Sequence, residues 1–206
     1  MTKEELKKKY GNEKIAVVKN TELNLQEGFN SYSKDILKTI LMKSFFINRY
    51  DAEFNPEFRQ PIGYIVLRHK DMYFATLRLN NSGEKRLIGN ISLGTGGHAN
   101  QIDVMKPGNI ISNSVIRELH EELNIDCNSK LNSKIIGFIY DSSNEVGKDH
   151  VGVVVLIDIS KTNVTVKETD KLEGKFVTKE FIKENYDKLE SWSKIVFDYI
   201  EIRYKE

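Results

Sequence analysis

Apolar positions follow two rhythms along this chain, and the change between them falls near residue 60. Thr2 with Glu5 forms a capping box and Gly11 a terminator, so a short charged helix is predicted at the start. Lys14 to Lys19 (KIAVVK) reads as a strand. From Ser33 to Ile47 the apolar residues Ile36, Leu37, Ile40, Leu41 and Phe45 keep helical spacing with one buried face. Phe54 to Gln60 is irregular. From Pro61 the period shortens. Ile62 to Leu67 and Met72 to Leu79 are β-branched and aromatic runs, and His69-Lys70-Asp71 between them marks a hairpin. A polar loop, Asn80 to Lys85, precedes a third strand from Leu87 to Leu93, which runs into Gly94-Thr95-Gly96-Gly97-His98. A helix is predicted from near Asn113 to near Asn124. Strands at Lys134 to Tyr140 and His150 to Ile159 flank a loop, Asp141 to Asp149. Thr178 caps one helix, and Glu190 to Tyr204 forms another with Trp192, Ile195, Val196, Tyr199 and Ile200 on its apolar side. Strands, a central helix, more strands and terminal helices make an α+β domain over 61–206. Residues 1–60 form an N-terminal extension of helices and one strand.

Composition narrows the function classes. The 206 residues suit one substantial domain with a modest appendage, long enough to bury a core without cross-links. With 31 basic against 30 acidic residues there is no electrostatic footprint for nucleic acid or an anionic membrane, though a phosphate pocket needs only a few cations. The single cysteine, Cys127, excludes an internal disulfide and suits a reducing cytoplasm; its plainest role is a small buried hydrophobe after the helix. The first ten residues lack the apolar stretch of a signal peptide, and no window reaches the ~20 apolar residues that span a bilayer. A cytoplasmic protein is expected.

The central helix carries the chemistry. In Arg117-Glu118-Leu119-His120-Glu121-Glu122-Leu123-Asn124-Ile125, the three glutamates stand at i, i+3 and i+4 and share one face. Val115, Ile116, Leu119 and Leu123 supply packing positions. Like charges at these spacings repel by roughly 0.2–0.5 kcal/mol per pair. Arg117 can reach Glu121, but in the weaker order for helix stability. A bound cation accounts for the arrangement better than stability does; the alternative is a solvated acidic face. Hard cations such as Mg²⁺ and Mn²⁺ take carboxylate oxygens and share them with substrate phosphates.

Arg117-Glu118-Leu119-His120-Glu121-Glu122 resembles the Arg-Glu-aliphatic-x-Glu-Glu core of the Nudix box, and Leu123-Asn124-Ile125 its x-Gly-aliphatic continuation, with asparagine for glycine. Asparagine tolerates the left-handed conformation of a helix terminator. The upstream half departs: Asp103 and Asn109 stand fourteen and eight residues before Arg117, where the box has glycine and glutamate. Gly96-Gly97 is the equivalent glycine pair, which implies an insertion of about six residues in the loop. Ser92 to His98, Ile136 to Asp141, Asn144 to Gly152 and Leu189 to Ser193 are similar to a subgroup described as predicted Nudix phosphoesterases. The resemblance covers Pro61 to the C-terminus.

The resemblance implies a mixed β-sheet sandwiched between helices and a hydrolase that uses Mg²⁺ or Mn²⁺. Glu118, Glu121 and Glu122 would hold metal, with one of them, Glu118 or Glu121, serving as general base. Arg117 would orient a glutamate. Gly97 would offer a carbonyl ligand or a close approach to phosphates. Metal-activated water would attack a phosphorus of a small-molecule diphosphate substrate.

Other residues have two readings each. His98 either faces phosphate or caps the turn. Asp141, Glu145, Asp149 and His150 lie where a further acid or base is often placed; Glu145 is the best candidate, and a loop acid or a structural histidine is the alternative. Arg78 and Arg86 suit bidentate phosphate contact, or are solvated strand ends. Tyr64, Tyr73, Phe74 and Trp192 read as packing. Two other functions compete with hydrolysis. Isomerisation of a prenyl diphosphate needs an active-site cysteine that Cys127 is poorly placed to be. A nucleotide or nucleotide-sugar sensor commonly loses box carboxylates that this chain keeps. Residues 1–60 either cover the pocket or build a homodimer interface, and the substrate is not legible.

Overall fold

The computed structural model describes residues 1–79, 88–125 and 132–203, with the side chains of Glu145 and Val146 outside that description. In chain order the elements are α1 (Lys3–Tyr10), β1 (Lys14–Lys19), β2 (Gly28–Ser31), α2 (Lys34–Lys43), β3 (Phe45–Asn48), α3 (Arg49–Ala52), β4 (Phe58–His69), β5 (Met72–Arg78), β6 (Ile91–Ser92), α4 (Gln101–Val104), α5 (Ile110–Glu122), β7 (Leu123–Asn124), β8 (Asn132–Tyr140), α6 (Glu145–Asp149), β9 (His150–Asp158), β10 (Thr165–Val166), β11 (Leu172–Thr178), α7 (Lys179–Glu184) and α8 (Ser191–Arg203). This is an α+β fold with a large mixed sheet. The chain divides into two compact units: residues 1–63, 97–117 and 137–153, and residues 64–96, 118–136 and 154–206.

In the first unit the capping box of α1 forms as the sequence predicts. Thr2 accepts from the Glu5 N–H, Glu5 accepts from the Thr2 N–H, and Gly11 ends the helix at φ 57°. Ser33 caps α2, which stops at Lys43 where the spacing predicts continuation to Ile47. Phe45, Phe46 and Ile47 instead pair antiparallel with β1. A β-branched and aromatic run has a strand partner available, and that partner overrides its helical spacing. Ile15, Val17 and Ala52 form a buried cluster with Ile47 and Phe58 packed on it. Residues 1–60 thus hold β1, β2, β3 and the first three residues of β4, which starts at Phe58 inside the stretch expected to be irregular.

The second unit is organised on β5, which pairs antiparallel with β11 from Arg78↔Leu172 to Met72↔Thr178. The predicted hairpin joins β4 to β5 at Arg68↔Tyr73, with Lys70 at φ 54° in its turn. Of the strand expected at 87–93, Ile91–Ser92 pairs with β5; residues 80–87 lie outside the described region. The interior is aromatic: Tyr64 meets Trp192 edge-on at 5.5 Å, and its hydroxyl is 2.9 Å from Ser193 Oγ. Ser193 also accepts from the Leu93 N–H at 2.9 Å. Burial pushes the Tyr64 phenol well up. Tyr64 is therefore a core residue, and the half-buried Trp192 packs against it.

Gly94 is required by this packing, because a Cβ there would lie 2.1 Å from Tyr64 Cζ. Gly94→Ala is expected to destabilise by about 1–3 kcal/mol in urea unfolding, as overpacking of a filled core does. An unchanged midpoint would show that the Tyr64 ring gives way freely.

Two further elements differ from expectation. The central helix begins at Ile110, three residues before Asn113, because Asn109 caps it: Asn109 Oδ1 accepts from the Ser112 N–H at 2.9 Å. The expected loop at 141–149 contains α6, capped by Asn144 through the Gly147 N–H at 2.9 Å.

Candidate active site

The second unit presents the carboxylates. Leu119 and Leu123 are buried and anchor one face of α5. Glu118 and Glu122 are half-buried and Glu121 is exposed on the opposite side. The helix passes directly into β7, where Leu123↔Val166 and Asn124↔Thr165 pair. Asn124 is not in the left-handed conformation expected of a terminator, since Phe54 and Lys70 are the non-glycine residues with positive φ among the described residues. The last helical carbonyls are held from outside instead. The Lys167 N–H donates to Glu122 O at 2.8 Å, and Lys167 Nζ donates to His120 O. The spacing places the cap locally, whereas Lys167, just after β10 and 47 residues beyond His120, supplies it.

Burial, followed by the Glu118 carboxylate, pushes Glu122 up to about 7; Glu168 and Glu121 add to the effect, and the Arg78 guanidinium opposes it. The Glu168 charge, from outside the motif, is thus felt at the Glu122 carboxylate. Arg78, at the end of β5, donates from Nε to Glu190 Oε1 at 2.7 Å. Neither Glu168 nor Glu190 stands out in the sequence, since each is one charged residue among many in its segment.

The first unit holds Arg117. Its Nε and Nη2 donate to the two oxygens of Asp103, each at 3.0 Å, and Nη2 also donates to His98 O at 2.8 Å. The pair is deeply placed, with side-chain exposures of 11% and 0%. Asp103 accepts from the Asn100 N–H as well, and Asn113 Nδ2 donates to Asp103 O. The carboxylate opposite Arg117 thus comes from Asp103, a position noted in the sequence only as a departure from the box. Positive φ in the glycine cluster falls on Gly96, at 151°, and not on Gly97.

His98 and His150 are brought together. His98 Nε2 is 3.1 Å from His150 Nε2 and 2.6 Å from Gln60 Oε1. Burial, helped by Arg49, His150 and Arg117, holds the His98 imidazole well below the usual histidine range, so it is neutral at pH 7. Gln60 is fully buried, and neither it nor its contact with His98 was legible from the sequence. Asp149 accepts from the Phe54 N–H at 2.6 Å, and Asp141 accepts from Ser143 and Asn144, so both have structural bonds. Arg86 and Cys127 lie outside the described residues, as does the Glu145 side chain; its backbone opens α6.

With this geometry the relatives become informative. No family model matches the chain. Protein YmaB of Bacillus subtilis strain 168 is 37% identical over 159 residues, 75% of this chain and 77% of YmaB. The solved structure of Tm1382, a candidate Nudix hydrolase, aligns with a TM-score of 0.76 at 28% identity, covering 91% of this chain and 98% of that one. DR0079 from Deinococcus radiodurans shares the fold at TM-score 0.52 and 14% identity, covering 87% of this chain and 100% of that one. The chain belongs to the Nudix hydrolase superfamily, a class of pyrophosphohydrolase enzymes. Within it, the chain is of one family with Protein YmaB. Among the described residues, no helix is long and apolar enough to cross a membrane.

Proposed function

We propose that this protein is a divalent-metal-dependent hydrolase that cleaves a diphosphate linkage in a nucleoside diphosphate derivative or related phosphoester. The observation that carries the reading is the crowded acidic end of α5, where Glu122 is pushed up to about 7 by burial and neighbouring carboxylates. A divalent cation relieves that crowding, and its hard-oxygen chemistry matches the donors present. Among the described residues no three His, Cys, Asp or Glu side chains converge as a ready-made cage.

Glu118 and Glu122 are the leading ligands, with Glu121 beside them; either Glu118 or Glu121 takes the proton of the attacking water. When bound, the ion supplies activation of water and charge neutralisation on the phosphoryl oxygens. Arg78 is suited to a phosphate oxygen by its forked donors. Substrate contact is also assigned to Arg86, His98, Glu145 and His150, and a carbonyl contact to Gly97. Neutral His98 can donate or accept one hydrogen bond without adding charge.

The test is release of phosphate or nucleoside monophosphate with Mg²⁺ or Mn²⁺, from nucleotide sugars, dinucleotides, oxidised nucleotides and non-nucleoside diphosphates. Turnover by wild type that chelation abolishes supports the reading. Tight binding across the panel without turnover would replace it with a sensor.

In the same assay, Arg78→Lys is expected to raise KM roughly three- to tenfold with kcat little changed, because lysine keeps the charge but loses the forked geometry. A fall in kcat at constant KM would move Arg78 from substrate binding to transition-state stabilisation.

A further inference from the structure

Three side chains from separate parts of the first compact unit converge: Gln60 from β4, His98 from the segment before α4, and His150 at the start of β9. His98 is fixed by its bridge to Ile62, two residues after Gln60, and by Arg117 Nη2, which donates to its carbonyl at 2.8 Å. His98 Nε2 then lies 2.6 Å from Gln60 Oε1 and 3.1 Å from His150 Nε2. These contacts do not balance as hydrogen bonds. A neutral imidazole carries one N–H, and an amide oxygen carries none. With its proton on Nε2, His98 can aim it at one of the two acceptors; without it, the ring meets the Gln60 oxygen lone pair to lone pair. Turning the amide over brings an N–H to His98, but sends the oxygen to the place where Gln60 Nε2 has no hydrogen-bond partner. Gln60 is fully buried, so one end of its amide is unsatisfied in either orientation, which protein interiors avoid. What the buried amide does, as it stands, is offer an oxygen to two histidines.

We propose that His98 Nε2, His150 Nε2 and Gln60 Oε1 form a binding site for Zn²⁺ or a similar borderline divalent ion. Two imidazoles on one tetrahedral ion, each at about 2.0–2.1 Å, place their nitrogens roughly 3.3 Å apart and their ring centres roughly 5 Å apart. The observed separations are 3.1 Å and 5.2 Å, with the rings inclined at 60°. Both rings therefore already turn their Nε2 edges toward a common point. An ion there takes a lone pair from each of the three atoms, where one proton serves them poorly. Two imidazole nitrogens and an amide oxygen suit Zn²⁺, Co²⁺ or Ni²⁺ better than hard Mg²⁺. His150 is buried and His98 keeps some exposure, so a fourth position is open to water. Three protein ligands with one open position is the arrangement in which zinc binds water or a substrate group. The cations whose charge reaches His98 are already matched: Arg117 pairs with Asp103, and Arg49 with Glu13 and Glu53. The inference goes beyond the hydrolase reading, which rests on the α5 glutamates, and gives the two histidines a ligand of their own.

The test is Co²⁺ titration of the whole metal-free protein with Mg²⁺ in excess, followed by the strong visible absorption of tetrahedral Co²⁺. A six-coordinate ion on carboxylates and water absorbs only weakly, so the α5 face is silent in this measurement. One equivalent of Co²⁺ is expected to bind, and Zn²⁺ to displace it. His98→Phe and His150→Phe keep a ring and lose the donor. Each is expected to weaken Co²⁺ by about 100-fold or more, since loss of a residue that only supports a ligand already costs ~10–100-fold. Gln60→Glu is expected to tighten binding about tenfold, because a charged oxygen replaces a neutral one; a misfolded variant does not give that result. Circular dichroism and unfolding midpoints check that each variant is folded. Wild type without the tetrahedral absorption overturns the proposal. So does wild-type affinity in either histidine variant, or a Gln60→Glu variant that binds no tighter. Absorption lost in Glu118→Gln/Glu122→Gln but kept in the histidine variants also overturns it, placing the ion on α5 and leaving the hydrolase reading standing. Conversely, intact absorption in a protein that turns over no diphosphate with Mg²⁺ or Mn²⁺ supports this site and removes that reading.

Discussion

Glu122→Gln is expected to abolish most turnover, by about 10²–10³-fold in kcat, the scale of losing one electrostatic stabiliser of the transition state, here a leading ligand of the proposed cation. The half-buried Glu122 carboxylate is raised to about 7 by its surroundings. Its ordinary value is 4.5, so between these limits the folded protein binds more protons than the unfolded one. Stability of the metal-free protein therefore falls as pH rises from about 4.5 and levels off above about 7. The total change is at most about 3.4 kcal/mol, taking 1.36 kcal/mol per pKa unit over the rise from 4.5 to about 7. Unfolding in chelator at pH 5 and pH 8 should show this decline in wild type and a flatter profile in Glu122→Gln. Metal binding demands the ionised carboxylate, so Mn²⁺ affinity should rise over the same interval. Equal pH slopes in the two proteins would remove Glu122 from this role, and full activity in the variant would remove it from catalysis.

Asp103→Ala is expected to be the most damaging single substitution to stability, costing about 3–5 kcal/mol in urea unfolding. The change takes away the bidentate acceptor of Arg117, which is 11% exposed, and so removes a buried charge-assisted pair. It also removes the acceptor of the Asn100 N–H that starts α4. The double variant Asp103→Leu/Arg117→Met should recover a large part of that stability, because removing both charges removes the desolvation penalty that one charge alone suffers. Recovery of stability without activity would separate the structural bond from the role of Arg117 in holding His98 O. A loss under 1 kcal/mol for Asp103→Ala would show that the pair is screened and that Arg117 finds another carboxylate at no cost.

Much of this site is local and therefore legible. Glu118, Glu121 and Glu122 share a face because helical spacing requires it, and Leu119 and Leu123 fix which face is buried. The departures at Asp103 and Asn109 could be located by counting, but their work could not. Asn109 caps α5 through a bond three residues away, a role its residue type allows anywhere. Asp103 meets Arg117 across fourteen residues only because α4 folds back to it. The misplaced end of α2 has the same origin: Phe45 to Ile47 keep helical spacing, but their pairing with β1 is non-local.

The sequence alone determines the chemistry on offer: a charged, amphipathic helix with three carboxylates, a glycine cluster before it, and a strand-rich chain to support both. Side-chain period and capping residues act over three or four positions, so they can be read without the fold. The tertiary structure alone decides the company those groups keep. It brings Glu168 and Arg78 to Glu122, Glu190 to Arg78, Gln60 and His150 to His98, and Lys167 to the helix end. Each of these depends on strand pairing across tens of residues, where the partner is selected by global packing and no local pattern records it.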